Sequence, residues 1–214
     1  MFKKVMKTVK EPAVIFIRHG ATDFNGEGGT GVDRIRGWID VPLNSVGRED
    51  AKKAAKKVAK YDIDKIYSSD LIRAKETAEI VKKSNNIKAN IILSKDLRPW
   101  NLGIYEGKET KNIIDDLNKM VKDENIVAPQ GESFKSFRLR YLNAVKVIMM
   151  EAVTNHEQIL IISHFRNLKC LSSWIDNGAP DDMSIDKEIM ITDSFKPGEV
   201  MVIPLDKILF PKKK

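Results

Sequence analysis

Short, wholly apolar runs alternate with longer amphipathic stretches along this chain, and that alternation limits the fold more than any other feature. Residues 13–17, Ala-Val-Ile-Phe-Ile, contain no polar member and read as a strand buried on both faces. Residues 158–164, "QILIISH", repeat the pattern, and shorter strands are expected at 64–69 and 89–93. Helical spacing fills the intervals. Asn44 or Ser45 caps a helix whose apolar stripe is Val46, Ala51, Ala54, Ala55 and Val58. Asp70 is expected to cap a second helix, with Leu71, Ala74, Ala78 and Val81 on its inner face. A turn-rich segment at 94–107 leads to an amphipathic helix around 108–123. Ser133 caps a long helix to about 154, and another helix spans 165–175. Residues 188–195 and 199–205 predict a closing hairpin around Pro197-Gly198. With no internal repeat or linker, one α/β domain over 1–214 is expected, its core at 13–205 between basic tails. It would carry a mostly parallel central sheet flanked by helices on both faces, with an antiparallel edge near the C-terminus.

Composition narrows the classes of function. The 214 residues are 42% hydrophobic and 31% charged, as in a soluble globular protein. Cys170 is the single cysteine, so no internal disulfide can form, and a cytoplasmic location is expected. No apolar run approaches the length of a membrane span or a signal-peptide core, so no membrane partner is expected. The net charge of +7 raises nucleic-acid binding. The lysines, however, are spread over helical faces and tails, and the 7% aromatic residues do not interleave with them as stacking platforms. No nucleic-acid partner is expected, whereas a positive field favours small anionic substrates. A monomer or homodimer is expected.

Ligands of open α/β sheets bind beyond the carboxyl ends of the strands. Arg18 and His19 follow the first strand, His164 ends the "QILIIS" strand, and Arg73 falls in the first turn after the strand at 64–69. Two arginines and two histidines from three junctions describe a pocket for a tetrahedral dianion. Arginine's fork matches phosphate oxygens, and neighbouring cations disfavour a protonated histidine, leaving a neutral nitrogen able to attack phosphorus. In-line transfer to His19 would give a phosphohistidine that water hydrolyses, with Arg18, Arg73 and His164 neutralising the oxygens and Asn25 a polar phosphate contact. No metal or other cofactor is required.

The segments "RHGATDFN", "GWIDVPLNSVGREDA", "IYSSDLIRAKETA", "GES" and "ISH" occur in order between Ala13 and Leu205. In these the chain resembles the histidine phosphatase superfamily, the phosphoglycerate mutase-like group. The resemblance implies a mixed α/β domain acting on a small anionic phosphoester, with His19 as phosphorylated nucleophile and Arg18, Arg73 and His164 completing the phosphate pocket. It also implies that Thr22 and Asn25 lie near substrate and that the Arg36-Gly37-Trp38 and Asp40-Val41-Pro42-Leu43 segments resemble the part that closes over it. Mutases of the group usually have a longer chain and a Glu-Arg-His-Tyr-Gly segment, absent here, so a phosphatase is expected.

The chain departs from the family pattern at two points. Pro99 stands where the family commonly has the glutamate that protonates the leaving alcohol. Another carboxylate could serve, Glu106 first and then Asp96, Asp23 or Glu132. Alternatively the substrate has a leaving group that needs no proton, such as a phosphohistidine or acyl phosphate, or the chain binds phosphoesters with little turnover. Asn101 could orient a leaving group or water. The second departure is Phe165, after His164 where glycine is common; its side chain narrows the pocket. Arg98 could hold the distal part of an anionic substrate, and Arg166 is either a surface residue or a specificity contact.

Overall fold

The computed structural model describes residues 10–205; the basic tails read from the sequence, at 1–9 and 206–214, lie outside the described residues. In chain order the regular elements are β1 (Ala13–Arg18), α1 (Ser45–Val58), β2 (Lys65–Ser68), α2 (Ile72–Ser84), β3 (Ile91–Leu93), α3 (Ile114–Lys122), α4 (Phe134–Asn155), β4 (Gln158–Ser163), α5 (Phe165–Asp176), α6 (Lys187–Thr192) and β5 (Val200–Pro204). The strands form one sheet in the order β3-β2-β4-β1-β5. All neighbours run parallel except β5, which pairs antiparallel with β1 at the edge.

The unbroken apolarity of β1 has a direct cause. Val14 and Phe16 pack into one core with α4 and α5, through Leu142, Val145, Leu168 and Leu171. Ile15 and Ile17 pack into the other, against Ala54, Ala55 and Val58 of α1 and Ala74, Ala78 and Val81 of α2. A central parallel strand covered by helices on both faces has no solvent side on which a polar residue would be tolerated. β4 follows the same rule, with Ile159 and Ile161 on one side and Leu160 and Ile162 on the other.

Several local expectations need correction. The segment expected as the first arm of a hairpin is the short helix α6, capped by Asp186, whose carboxylate accepts from the N–H groups of Glu188 and Ile189. The antiparallel edge is real, but β1 is the partner of β5. Asp70 does not cap α2; it forms an ion pair with Arg98, and the Ile72 N–H is instead accepted by Asp40 at 2.6 Å. Helical structure within 108–123 is a single 3-10 turn at Thr110–Asn112 followed by α3. Val46 is 45% exposed and lies off the buried stripe of α1. Asn44 is the cap of that helix, its Oδ1 accepting from the Gly47 N–H at 2.9 Å, and Ser133 caps α4 as expected.

Candidate active site

Register places the two histidines side by side. Arg18 of β1 is paired with Ser163 of β4, so His19 and His164 leave adjacent strands at the same level, joined by the His19 N–H donating to the Ser163 carbonyl at 3.0 Å. Their rings lie 5.1 Å apart at 62°, and both side chains are buried. Gly20 then lets the chain turn against α1: a Cβ there would stand 2.0 Å from the carbonyl oxygen of Gly47. Only a backbone without side chains at both positions permits that approach.

His19 is held in one tautomer. Its Nδ1 lies 2.7 Å from the Gly20 carbonyl oxygen, which can only accept, so Nδ1 carries the proton and Nε2 keeps a free lone pair. Its pKa is held well below the ordinary histidine value, first by burial and then by the charges of Arg73, His164, Arg18 and Arg36. The direction agrees with the sequence argument, but burial comes first and the cations second. His164 is depressed in the same way, by burial and then by Arg73, Arg36, Arg18 and Arg140. Its Nε2 is 2.7 Å from the Ser69 hydroxyl at the end of β2, while Nδ1 is buried without a partner. If Ser69 donates, Nδ1 carries the proton and is itself a donor.

Arg73, in the first turn of α2, is 1% exposed and reaches the loop after β1. Its terminal nitrogens donate to the carbonyls of Ile39 at 2.9 Å and Gly37 at 2.8 Å. Arg18 donates to the Phe195 carbonyl and stands 4.8 Å from the centre of the Phe165 ring. Burial, with the charge of Arg36 next, pushes both guanidinium groups down to about 9. The Nε atoms of Arg18 and Arg73 and Nη1 of Arg36 are buried with no acceptor. A buried donor left unpaired costs on the order of 1–3 kcal/mol, and more when charged. Several such donors in one neighbourhood can all be met by a bound oxyanion.

A cleft of about 60 Å³ runs over these groups, lined among others by His19, Arg36, Gly37, Arg73, His164, Phe165 and Arg166, with Pro99, Trp100 and Leu102 as an apolar wall. Arg18 and Asn25 line the adjoining cleft, which shares Asp33, Arg36 and Phe165 with the first. Asn25 Oδ1 accepts from the N–H of Thr22 at 2.9 Å and its hydroxyl at 3.2 Å, so this pair braces the loop after β1. Gly37 adopts φ +46°, and a Cβ there would meet Glu106 Oε1 at 2.0 Å.

Four residues given a substrate or acid role in the sequence lie outside this lining: Thr22, whose N–H and hydroxyl are both turned to Asn25, and Arg98, Asn101 and Glu106. Arg98 grips Asp70 through two 2.6 Å contacts and stacks 4.7 Å above Trp38. Asn101 Oδ1 accepts from the Gly103 N–H, closing its own turn. Glu106 Oε1 accepts from the N–H groups of Trp38 at 2.9 Å and Leu102 at 3.1 Å, fastening the Gly37–Trp38 loop to the Pro99 wall. Of the other carboxylates considered, Glu132 is paired with Arg140, and Asp23 and Asp96 are absent from the lining. Three lining groups had gone unread: Asp33, which accepts from the Thr110 hydroxyl at 2.6 Å and lies 3.7 Å from Arg36; Thr110 itself; and Trp100. Ser69 was also missed, although its place at the end of a strand is the same signal that marked His19 and His164. Among the described residues no group of three or more His, Cys, Asp or Glu is arranged to hold a metal ion, and no helix is long and apolar enough to cross a membrane.

Residues 14–187 match the histidine phosphatase superfamily (branch 1). The chain belongs to that family. It is 31% identical over 169 residues to the "Probable phosphoglycerate mutase GpmB" of Escherichia fergusonii, covering 76% of this chain and 74% of the relative. Among solved structures it resembles Bacillus stearothermophilus YhfR, with 28% identity, a TM-score of 0.69 and 89% of each chain covered. It also resembles mycobacterial glucosyl-3-phosphoglycerate phosphatase in complex with VO3, with 21% identity, a TM-score of 0.69, and 89% of this chain and 92% of that chain covered. The latter likeness establishes the shared fold. The family's similar proteins thus include both phosphatases and mutases.

Proposed function

We propose that this histidine phosphatase superfamily chain is a metal-independent phosphomonoester phosphatase that works through a phosphohistidine on His19. The observation that carries the reading is the His19 Nδ1 contact with the Gly20 carbonyl at 2.7 Å, which leaves Nε2 neutral and available among arginines. Nε2 attacks phosphorus in line; the N–P bond forms as the bond from phosphorus to the leaving oxygen breaks. Arg18, Arg73 and a protonated His164 Nδ1 bind the equatorial oxygens, whose charge they meet without solvent reorganisation. Water then attacks the phosphohistidine, releasing inorganic phosphate and restoring neutral His19.

The proton for the leaving group divides this reading in two. Pro99 forms part of the cleft wall and has no proton to give, and the one carboxylate among the lining residues, Asp33, is engaged by Thr110 and Arg36. Those facts favour substrates whose leaving group departs unprotonated, such as acyl phosphates or phosphohistidines. A phosphoester panel tests both parts. Hydrolysis of acetyl phosphate well above that of alkyl phosphates, lost in His19→Ala, supports the reading. Rapid alkyl phosphate turnover overturns the leaving-group part, and no turnover of any member overturns the phosphatase.

A further inference from the structure

Behind Phe165 stands a buried cation that the phosphoryl-transfer scheme does not use. Lys169 follows Phe165 by four residues on α5, so the two share a helix face one turn apart. Lys169 is 6% exposed, and burial, with the charge of Arg166 next, pushes its ammonium down to about 8. Its Nζ donates to the Ile191 carbonyl, in the last turn of α6, at 2.9 Å and lies 5.1 Å from the centre of the Phe165 ring. The same ring carries the Arg18 guanidinium at 4.8 Å. Arg166 and Asp193 are the charges that act on Lys169, and Arg18 is not among them, as expected when the ring separates the two cations. A buried ammonium with a single carbonyl partner carries a desolvation cost that an aliphatic side chain of similar size would avoid. Packing alone therefore does not account for a lysine here.

Two routes run from Lys169 to Arg18. One is the ring, whose face attracts a cation from either side. The other is the segment 191–195, held at both ends by these cations: the Ile191 carbonyl accepts from Lys169 and the Phe195 carbonyl from Arg18 Nη1. With Nη1 engaged and the guanidinium against the ring, Arg18 Nε is buried without an acceptor. Resting on the phosphatase reading, we infer that Lys169 is a positioning residue: through Phe165 and residues 191–195 it fixes the Arg18 guanidinium in the orientation that binds phosphate. Lys169 lines neither cleft, so its action on the phosphate is indirect.

A double-variant cycle on the calorimetric affinity for inorganic phosphate tests this, with near-ultraviolet circular dichroism confirming that each variant is folded. Lys169→Met keeps the bulk, removes the charge and should weaken phosphate binding about tenfold. Lys169→Arg keeps a cation against the ring and should bind phosphate nearly as the wild type does. In an Arg18→Met background, Lys169→Met should have no further effect, because the group it positions is gone. Phe165→Leu carries the same pair of predictions and keeps the test open if Lys169→Met fails to fold. Unchanged affinity in Lys169→Met, or the same loss with and without Arg18, overturns the inference and leaves the phosphatase reading standing. A loss in Lys169→Arg as large as in Lys169→Met overturns the role of the charge. Unchanged phosphate affinity in Arg18→Met overturns the phosphate site itself, and the inference falls with it.

Discussion

Acidification should destabilise this protein in a window set by its two buried histidines. His19 and His164 are neutral in the folded chain, their pKa values held well below 6.5 by burial first and by neighbouring arginines second. The unfolded chain protonates both near 6.5. Below that pH the unfolded state therefore binds more protons, and stability rises with pH. Their contribution is complete above about 6.5 and is lost as pH falls towards the folded-state values. Going from pH 7.5 to 5.5 should cost about 1.4 kcal/mol per histidine, or about 2.7 kcal/mol for the pair. Asp70 and Glu151, lowered by hydrogen bonds from Arg98 and Lys65, act in the same direction but only below about pH 4. Urea unfolding at pH 7.5, 6.5 and 5.5 separates the windows, because the midpoint moves while the slope stays constant. A His19→Gln, His164→Gln double variant should lose the dependence above pH 5. Unchanged wild-type stability across that interval would refute the claim that the pocket holds both histidines neutral.

Three substitutions probe the frame around the pocket. Gly37→Ala places a Cβ 2.0 Å from Glu106 Oε1 at φ +46° and should cost on the order of 2 kcal/mol in thermal unfolding. It should also lower kcat/KM, because the Gly37 carbonyl positions Arg73. Ser69→Ala removes the 2.7 Å contact that orients His164 and should reduce kcat about tenfold, the equivalent of one hydrogen bond of about 1.4 kcal/mol. Pro99→Glu supplies a carboxylic acid on the cleft wall. Alkyl phosphate hydrolysis should rise by about 10²-fold, with acetyl phosphate little changed.

The sequence was most informative where a physical constraint acts on consecutive residues. The runs 13–17 and 159–162 are apolar throughout because helices cover both faces, so the strands and the mostly parallel sheet could be read directly, and with them the end of the sheet at which His19 and His164 emerge; that β1 and β4 are neighbours in register could not. Residues 188–195 carried apolar positions compatible with either a strand or a helix, and Asp186, which caps the helix, decides between them. Side-chain partners distant in sequence were illegible. Nothing local to Asp70 says that Arg98, 28 residues away, claims its carboxylate, or that Asp40 replaces it at the start of α2. The same holds for Glu106, whose partners Trp38 and Leu102 come from two loops that only the fold brings together. Asp33 and Thr110 enter the cleft through an isolated bridge between Arg34 and Glu109, a contact with no periodic signature.

On the proposed mechanism, His19 Nε2 is the atom that receives phosphorus. Rapid quenching during turnover of acetyl phosphate, followed by peptide mass spectrometry under alkaline conditions, tests it most directly. An acid-labile, base-stable phosphoryl group on His19, absent in His19→Ala, is the expected result. Phosphate on a different side chain, or undiminished hydrolysis by His19→Ala, would contradict it.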